Sequence, residues 1–227
     1  MRLMRYSVAW APALVARIAA TLDEISGGRY TLGIGLGNTP DDYPLFGIDA
    51  ERRYSRFAEA IQIIHDLLRN DRTSFEGEFY RAPGAELVLR GPRLAGPPIV
   101  IAGAKPKMLR LVTRFADEWN WWVSANDASG LRGLLDELIV ACEEIGRDPA
   151  TIRRSVDVFS VAAPGTPEPP PGLLQVRGSP DQVAEELLGY GALGFDEVRC
   201  NLQAPADVPR TDAIRWMGEV VALVHAA

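Results

Sequence analysis

The densest group of chemically useful residues is Ile101-Ala102-Gly103-Ala104-Lys105-Pro106-Lys107. An apolar run ends in small side chains, and a helical pattern follows at once. Small residues let a ligand approach the backbone. The N–H groups of a helix start, its positive dipole end and two ammonium groups together attract phosphate. Pro106 donates no N–H but fits a first helical turn. Both lysines of the chain fall in this one turn. Gly103, Ala104, Lys105 and Pro106 are therefore candidates for holding an anion. The competing reading is a tight strand-to-helix turn that needs glycine in any case, with solvated lysines.

Two further groups stand out. Gly33, Gly35 and Gly37 alternate, so in a strand they share one face, and Asn38 follows them. The missing side chains leave room for a flat ring, or equally for a closely packed helix. Asn38-Thr39-Pro40 opens no helical pattern, so the glycines are not a dinucleotide-binding fingerprint. The other group is Trp119-Asn120-Trp121-Trp122. Alternation puts Trp119 and Trp121 on one face, and Asn120 and Trp122 on the other. An asparagine in a buried strand must find partners, and a ligand pocket is one source of them. The tryptophans read as core.

Composition excludes several classes. The chain has 227 residues, 47% hydrophobic and 24% charged, as a globular protein does. Its net charge of −6 gives no support for nucleic-acid binding. No apolar run approaches the ~18 residues of a membrane span, and the N-terminus lacks a signal-peptide core. Cys142 and Cys200 fit no metal-binding spacing and read as small apolar residues in a reducing cytoplasm. His65 and His225 form no HExxH pair, so neither a zinc enzyme nor a Ser-His-Asp hydrolase is expected. His65 reads as a partly exposed helix residue.

The elements that must position these groups alternate between strand and helix. Helical patterns cover 12–26, with Leu14, Ile18, Leu22 and Ile25 as the apolar stripe, and 50–69, with Phe57, Ile61, Ile64 and Leu68. Others cover 105–116, 128–145, 179–193 and 211–225. Ser179-Pro180-Asp181-Gln182 is a capping box. Strands are expected at 30–37, 98–103, 118–123, 155–161 and 196–202, with a sixth around Leu3–Val8. Residues 70–97 form an irregular insertion with a small hairpin at Thr73–Phe75 and Phe79–Arg81. A proline-rich loop covers 162–178. Repeated strand–helix units give an α/β class with five to six mainly parallel strands in a single domain, 1–227. This pattern alone leaves an open doubly wound sheet and an incomplete barrel as alternatives.

Taken together, several segments resemble the luciferase-like monooxygenase superfamily. They are the run from Ala19 to Gly35, the run Phe57–Leu67, the hairpin Thr73–Tyr80, Pro98, and the run from Leu109 to Asn120. The form LRLVTRFADEWN is closest to the branch that uses the deazaflavin coenzyme F420. The resemblance implies a TIM-barrel-like fold with its cofactor at the C-terminal ends of the strands. It implies hydride transfer between that cofactor and a small organic substrate. Gly103, Ala104, Lys105 and Pro106 match a turn that helps hold the cofactor phosphate, although the family often has further Gly or Ser there. Asn38 matches a position near the cofactor ring. Asn120 ends the last matching segment.

Family members carry further barrel strands before the helix that begins here at Pro12, so the fold is expected to be N-terminally truncated. No catalytic acid or base is assigned, because the family's candidates fall mostly in that earlier part. Three readings stand. The first is an F420-dependent oxidoreductase-like protein, catalytically complete or not. The second is an FMN-dependent monooxygenase-like protein. The third is a non-catalytic flavin- or phosphate-binding fragment, or a partner subunit. A homo-oligomer is expected, because an incomplete sheet exposes its edges.

Overall fold

The computed structural model describes residues 10–37, 40–88, 90–123, 128–171 and 175–227. The expected strand around Leu3–Val8 and the candidate Asn38 lie outside the described residues. The chain divides into two compact units, residues 1–119 and 120–227.

The first unit opens with α1 (Pro12–Ile25), which starts on proline and ends before Gly27 and Gly28, both at positive φ. Its buried face is Val15, Ala16, Ala19, Ala20 and Asp23. The expected stripe is not the buried one: Leu14 and Ile25 are 44% and 76% exposed. The helix packs on α2 (Arg53–Asn70). Alanines let two helix backbones come close, so the small face, and not the bulky one, is inward. On α2 the expected stripe of Phe57, Ile61, Ile64 and Leu68 is buried as read.

β1 (Leu32–Ile34) ends before the last two glycines of its run and pairs in parallel with a later strand. The hairpin lies between them as β2 (Arg72–Glu76) and β3 (Arg81–Glu86). Its second arm starts later than expected. The carboxylate of Glu59 on α2 accepts the backbone N–H groups of Glu78, Phe79 and Tyr80 at 2.8–3.0 Å. Those groups turn toward the helix, and the ladder begins beyond them.

The parallel partner of β1 is β4 (Ile99–Ala102), in register Leu32↔Ile99 to Ile34↔Ile101. It leads through Gly103 to Lys105 into α3 (Pro106–Phe115). β5 (Glu118–Val123) then carries the chain from the first unit into the second.

Ion pairs fix the connections of the first unit. Asp23, fully buried, accepts from Arg93, which also donates to the Tyr30 carbonyl. Asp117 accepts from Arg69 at 2.5 Å and from the Ile99 N–H at 2.7 Å.

The second unit holds α4 (Ala128–Glu143), β6 (Arg153–Ala162), α5 (Pro180–Leu193), β7 (Glu197–Gln203) and α6 (Arg210–Ala226). β6 and β7 are parallel, with Ser155 opposite Glu197 and Asp157 opposite Arg199. The Ser179–Gln182 capping box is present, both of its bonds formed. After the proline-rich loop, Val176 returns to make a single bridge to Val161. The strands at 98–103, 118–123, 155–161 and 196–202 are thus found where the pattern put them, within about two residues.

Candidate cofactor site

The turn at the end of β4 is shaped by one glycine. Gly103 has φ +136, a conformation that L side chains rarely adopt. A Cβ there would lie 3.0 Å from the Cβ of Met108. The carbonyl of Gly103 accepts the indole N–H of Trp119 at 2.8 Å. Trp119 is fully buried, so it is core, and it pins the turn from below. Ala104 is buried, whereas Lys105, Pro106 and Lys107 are exposed. Lys105 is the N-cap, with extended backbone and no side-chain cap. Its carbonyl accepts from Met108 and Leu109.

The surroundings are cationic. Lys105 and Lys107 take part in no ion pair among the described residues. The ammonium of Lys107 lies 5.6 Å from the centre of the Tyr54 ring, and the Tyr54 hydroxyl donates to the Lys107 carbonyl at 2.9 Å. Tyr54 thereby ties α2 to the first turn of α3. Ala102, the last residue of β4, is exposed although its strand neighbours are buried. A Cβ on Gly35 would meet only the Ala102 Cβ, at 4.0 Å. Bare backbone, small side chains, a helix start and unpaired ammonium groups together suit a phosphate. Gly103, Ala104, Lys105 and Pro106 form this one continuous turn.

Asn120 belongs to a different constellation, in the second unit. It is 9% exposed, and its amide nitrogen donates to the Ser155 carbonyl at 3.4 Å, the Ser155 hydroxyl at 3.2 Å and Asp157 at 3.2 Å. Arg199 reaches the same acceptors, with bonds of 2.7 Å to the Ser155 hydroxyl and 3.3 Å to Asp157. It also donates to Glu197 at 2.7 Å. Glu197 in turn meets Arg153 at 3.1 Å. The burial requirement of Asn120 is therefore met within the protein.

The alternation of polar residues along 155–161 signals such a face, but its cross-strand partners are forty residues away and carry no local signal. Parallel strands usually bury both faces. A charged face on β6 and β7 is one that does not pack against a hydrophobic core. At the end of β5, Trp122 is 45% exposed and stacks on Trp121 at 5.9 Å.

Other candidates fall away. His65 meets Phe115 edge to face at 5.3 Å, and burial lowers its pKa, so it stays neutral between two helices. Burial pushes the Cys200 thiol up to about 11 and raises that of Cys142, which makes both poor nucleophiles. Among the described residues no group of three or more His, Cys, Asp or Glu could hold a metal. No described helix is long and apolar enough to cross a membrane.

Comparison with known proteins assigns the fold. The chain is 32% identical over 153 residues to the F420-dependent hydroxymycolic acid dehydrogenase of Mycobacterium tuberculosis, covering 66% of this chain and 41% of that one. It is 36% identical over 213 residues to the 4-hydroxyprotoasukamycin monooxygenase of Streptomyces nodosus subsp. asukaensis, covering 92% and 54%. The chain thus spans about half, or less, of the length of these curated relatives. Among solved structures, an F420-dependent secondary alcohol dehydrogenase in complex with an F420-acetone adduct superposes with a TM-score of 0.79 at 17% identity, over 98% of this chain and 76% of that one. A riboflavin lyase with modified FMN and riboflavin gives 0.78 at 14%, over 99% and 70%. These likenesses show an α/β, TIM-barrel-like fold. The model of the luciferase-like monooxygenase family matches residues 6–168, and the chain belongs to that family.

Proposed function

We propose that this chain is an F420-dependent oxidoreductase-like protein, which moves hydride between the deazaflavin and a small organic substrate. The observation that carries the reading is the turn of Gly103, Ala104, Lys105 and Pro106. Its positive φ and its crowding against Met108 exclude a side chain at the one place where the backbone must stay bare. When bound, the cofactor would supply hydride chemistry at its ring. The chain's own part is to anchor the phosphate. Lys105 supplies charge, and the start of α3 supplies a positive dipole end. Trp119 fixes the Gly103 carbonyl through its indole N–H.

F420-dependent relatives and an F420-bound structural neighbour favour the deazaflavin. FMN is the second reading. It is favoured by the monooxygenases among the relatives and by the FMN-bound neighbour. A homo-oligomer acting in the cytoplasm completes the proposal. Large apolar side chains such as Ile214 on α6, 58% exposed, are suited to a contact between copies.

Lys105→Glu tests the anchor. It places a carboxylate beside the phosphate, and the affinity for a phosphate-bearing cofactor should fall at least about tenfold, as expected for a lost charge-assisted contact made repulsive. Unchanged affinity, measured by fluorescence titration, would remove this turn from the site.

A further inference from the structure

Tyr54 stands in the first turn of α2, and two of its interactions reach across to a single residue of α3. Its hydroxyl donates to the Lys107 carbonyl at 2.9 Å, and the Lys107 ammonium lies 5.6 Å from the centre of its ring. The two residues are 53 apart in sequence, so the contact is made by the fold and not by the turn itself.

Lys107 is the residue of that first turn with most left to offer an anion. Pro106 has no N–H to give, and those of Met108 and Leu109 go to the Lys105 carbonyl at 2.7 and 3.1 Å. The N–H of Lys107 has no acceptor among the described residues. Its ammonium takes part in no ion pair among them either. Lys107 is exposed, so alone its long side chain would sample many rotamers, and ordering it around a ligand would cost entropy. A ring face beside the ammonium narrows that sampling beforehand. The hydroxyl bond holds the backbone of the same residue.

α2 is a firm base for such a contact. Phe57, Ala60 and Ile61 bury it in the core, and the Arg53 guanidinium ties its start to the Ala50 carbonyl at 2.8 Å. Packing of α2 on α3 does not need a hydroxyl, and phenylalanine would serve it as well. Among the described residues the hydroxyl bonds to Lys107 and to nothing else.

We infer that Tyr54 is a positioning residue for the anion-binding turn, fixing the Lys107 backbone through its hydroxyl and the Lys107 ammonium through its ring. This rests on the reading of the Gly103–Pro106 turn as a phosphate anchor. The gain is preorganisation: part of the ordering is done before the anion arrives. Both contacts are at the surface, so each contributes modestly.

The test follows backbone amide shifts of the isotope-labelled 227-residue chain as inorganic phosphate is added, with chloride at equal ionic strength as control. In wild type the Lys107 amide should shift saturably with phosphate and not with chloride. Tyr54→Phe keeps the ring and should bind phosphate about twofold more weakly, and Tyr54→Leu, which loses both contacts, about two- to fivefold. In a Lys107→Met background the ring has no ammonium to hold. There Tyr54→Leu should cost no more than Tyr54→Phe does, a loss of additivity that a merely structural role would not produce. The amide spectrum of each variant shows whether it is folded, and if Tyr54→Leu is not, the conservative Tyr54→Phe decides. Wild-type phosphate affinity in the folded Tyr54 variants, or an undiminished Tyr54→Leu effect in the Lys107→Met background, would overturn the inference and leave the anchor intact. Absence of a saturable shift at any amide of residues 103–107 in wild type would overturn both.

Discussion

One region in each unit handles its polar groups in the opposite way to the other. In the first, the region at the end of β4 is built from what is missing: side chains at Gly103 and Gly35 and, among the described residues, acidic partners for Lys105 and Lys107. In the second, the face of β6 and β7 is built from groups that satisfy one another: Asn120, Ser155, Asp157, Arg199, Glu197 and Arg153. A region that leaves its cations unpaired keeps free energy available for an incoming anion. A region whose charges are mutually paired spends that attraction on holding its own strands together. On the proposed reading, the first is the binding region and the second is scaffold.

Three substitutions sharpen that division. The largest effect is expected at the ion pair that frames the first unit. Arg93→Ala would leave the fully buried Asp23 without its cation, and should lower stability by about 2–3 kcal/mol in a urea titration. An unaltered midpoint would mean that water reaches Asp23. Gly103→Ala should cost about 1–3 kcal/mol, since it forces a side chain into positive φ and against Met108. It should also weaken cofactor binding beyond any loss of folded protein. A stable variant with full affinity would show that the turn need not be bare.

Arg199→Ala should be the mildest of the three, at about 1–2 kcal/mol, because its partners Asp157 and Glu197 are part-exposed and can be hydrated. It should leave cofactor affinity as it was. A binding defect in the folded Arg199→Ala protein would make the polar face part of the site.

Much of this was legible in the sequence, for identifiable reasons. Buried strands such as Ile99–Ala102 are short apolar runs closed by glycine, a local signal that needs no partner to be read. The capping box at Ser179 is likewise a matter of four neighbouring residues. The Gly103–Pro106 turn was visible because its residue types are chemically distinctive.

What was missed depended on distance or on size. The inward face of α1 is alanine-rich, whereas the large apolar residues at helical spacing include Leu14 and Ile25, which are exposed. The Asp23–Arg93 pair joins residues seventy apart. The second arm of the hairpin was displaced by Glu59, some twenty residues earlier on a helix. Asn120 was singled out correctly as needing partners, but its partners on β6 could not be seen from its own strand.

On the proposed reading, the first unit anchors a phosphate-bearing deazaflavin. The most direct measurement is a fluorescence titration of the purified, folded 227-residue chain with coenzyme F420 and, in parallel, with FMN. Saturable binding of F420 in the micromolar range, tighter than that of FMN, is the expected result. Saturable binding of FMN with none of F420 would contradict the deazaflavin assignment. Failure to bind either would contradict the anchor itself.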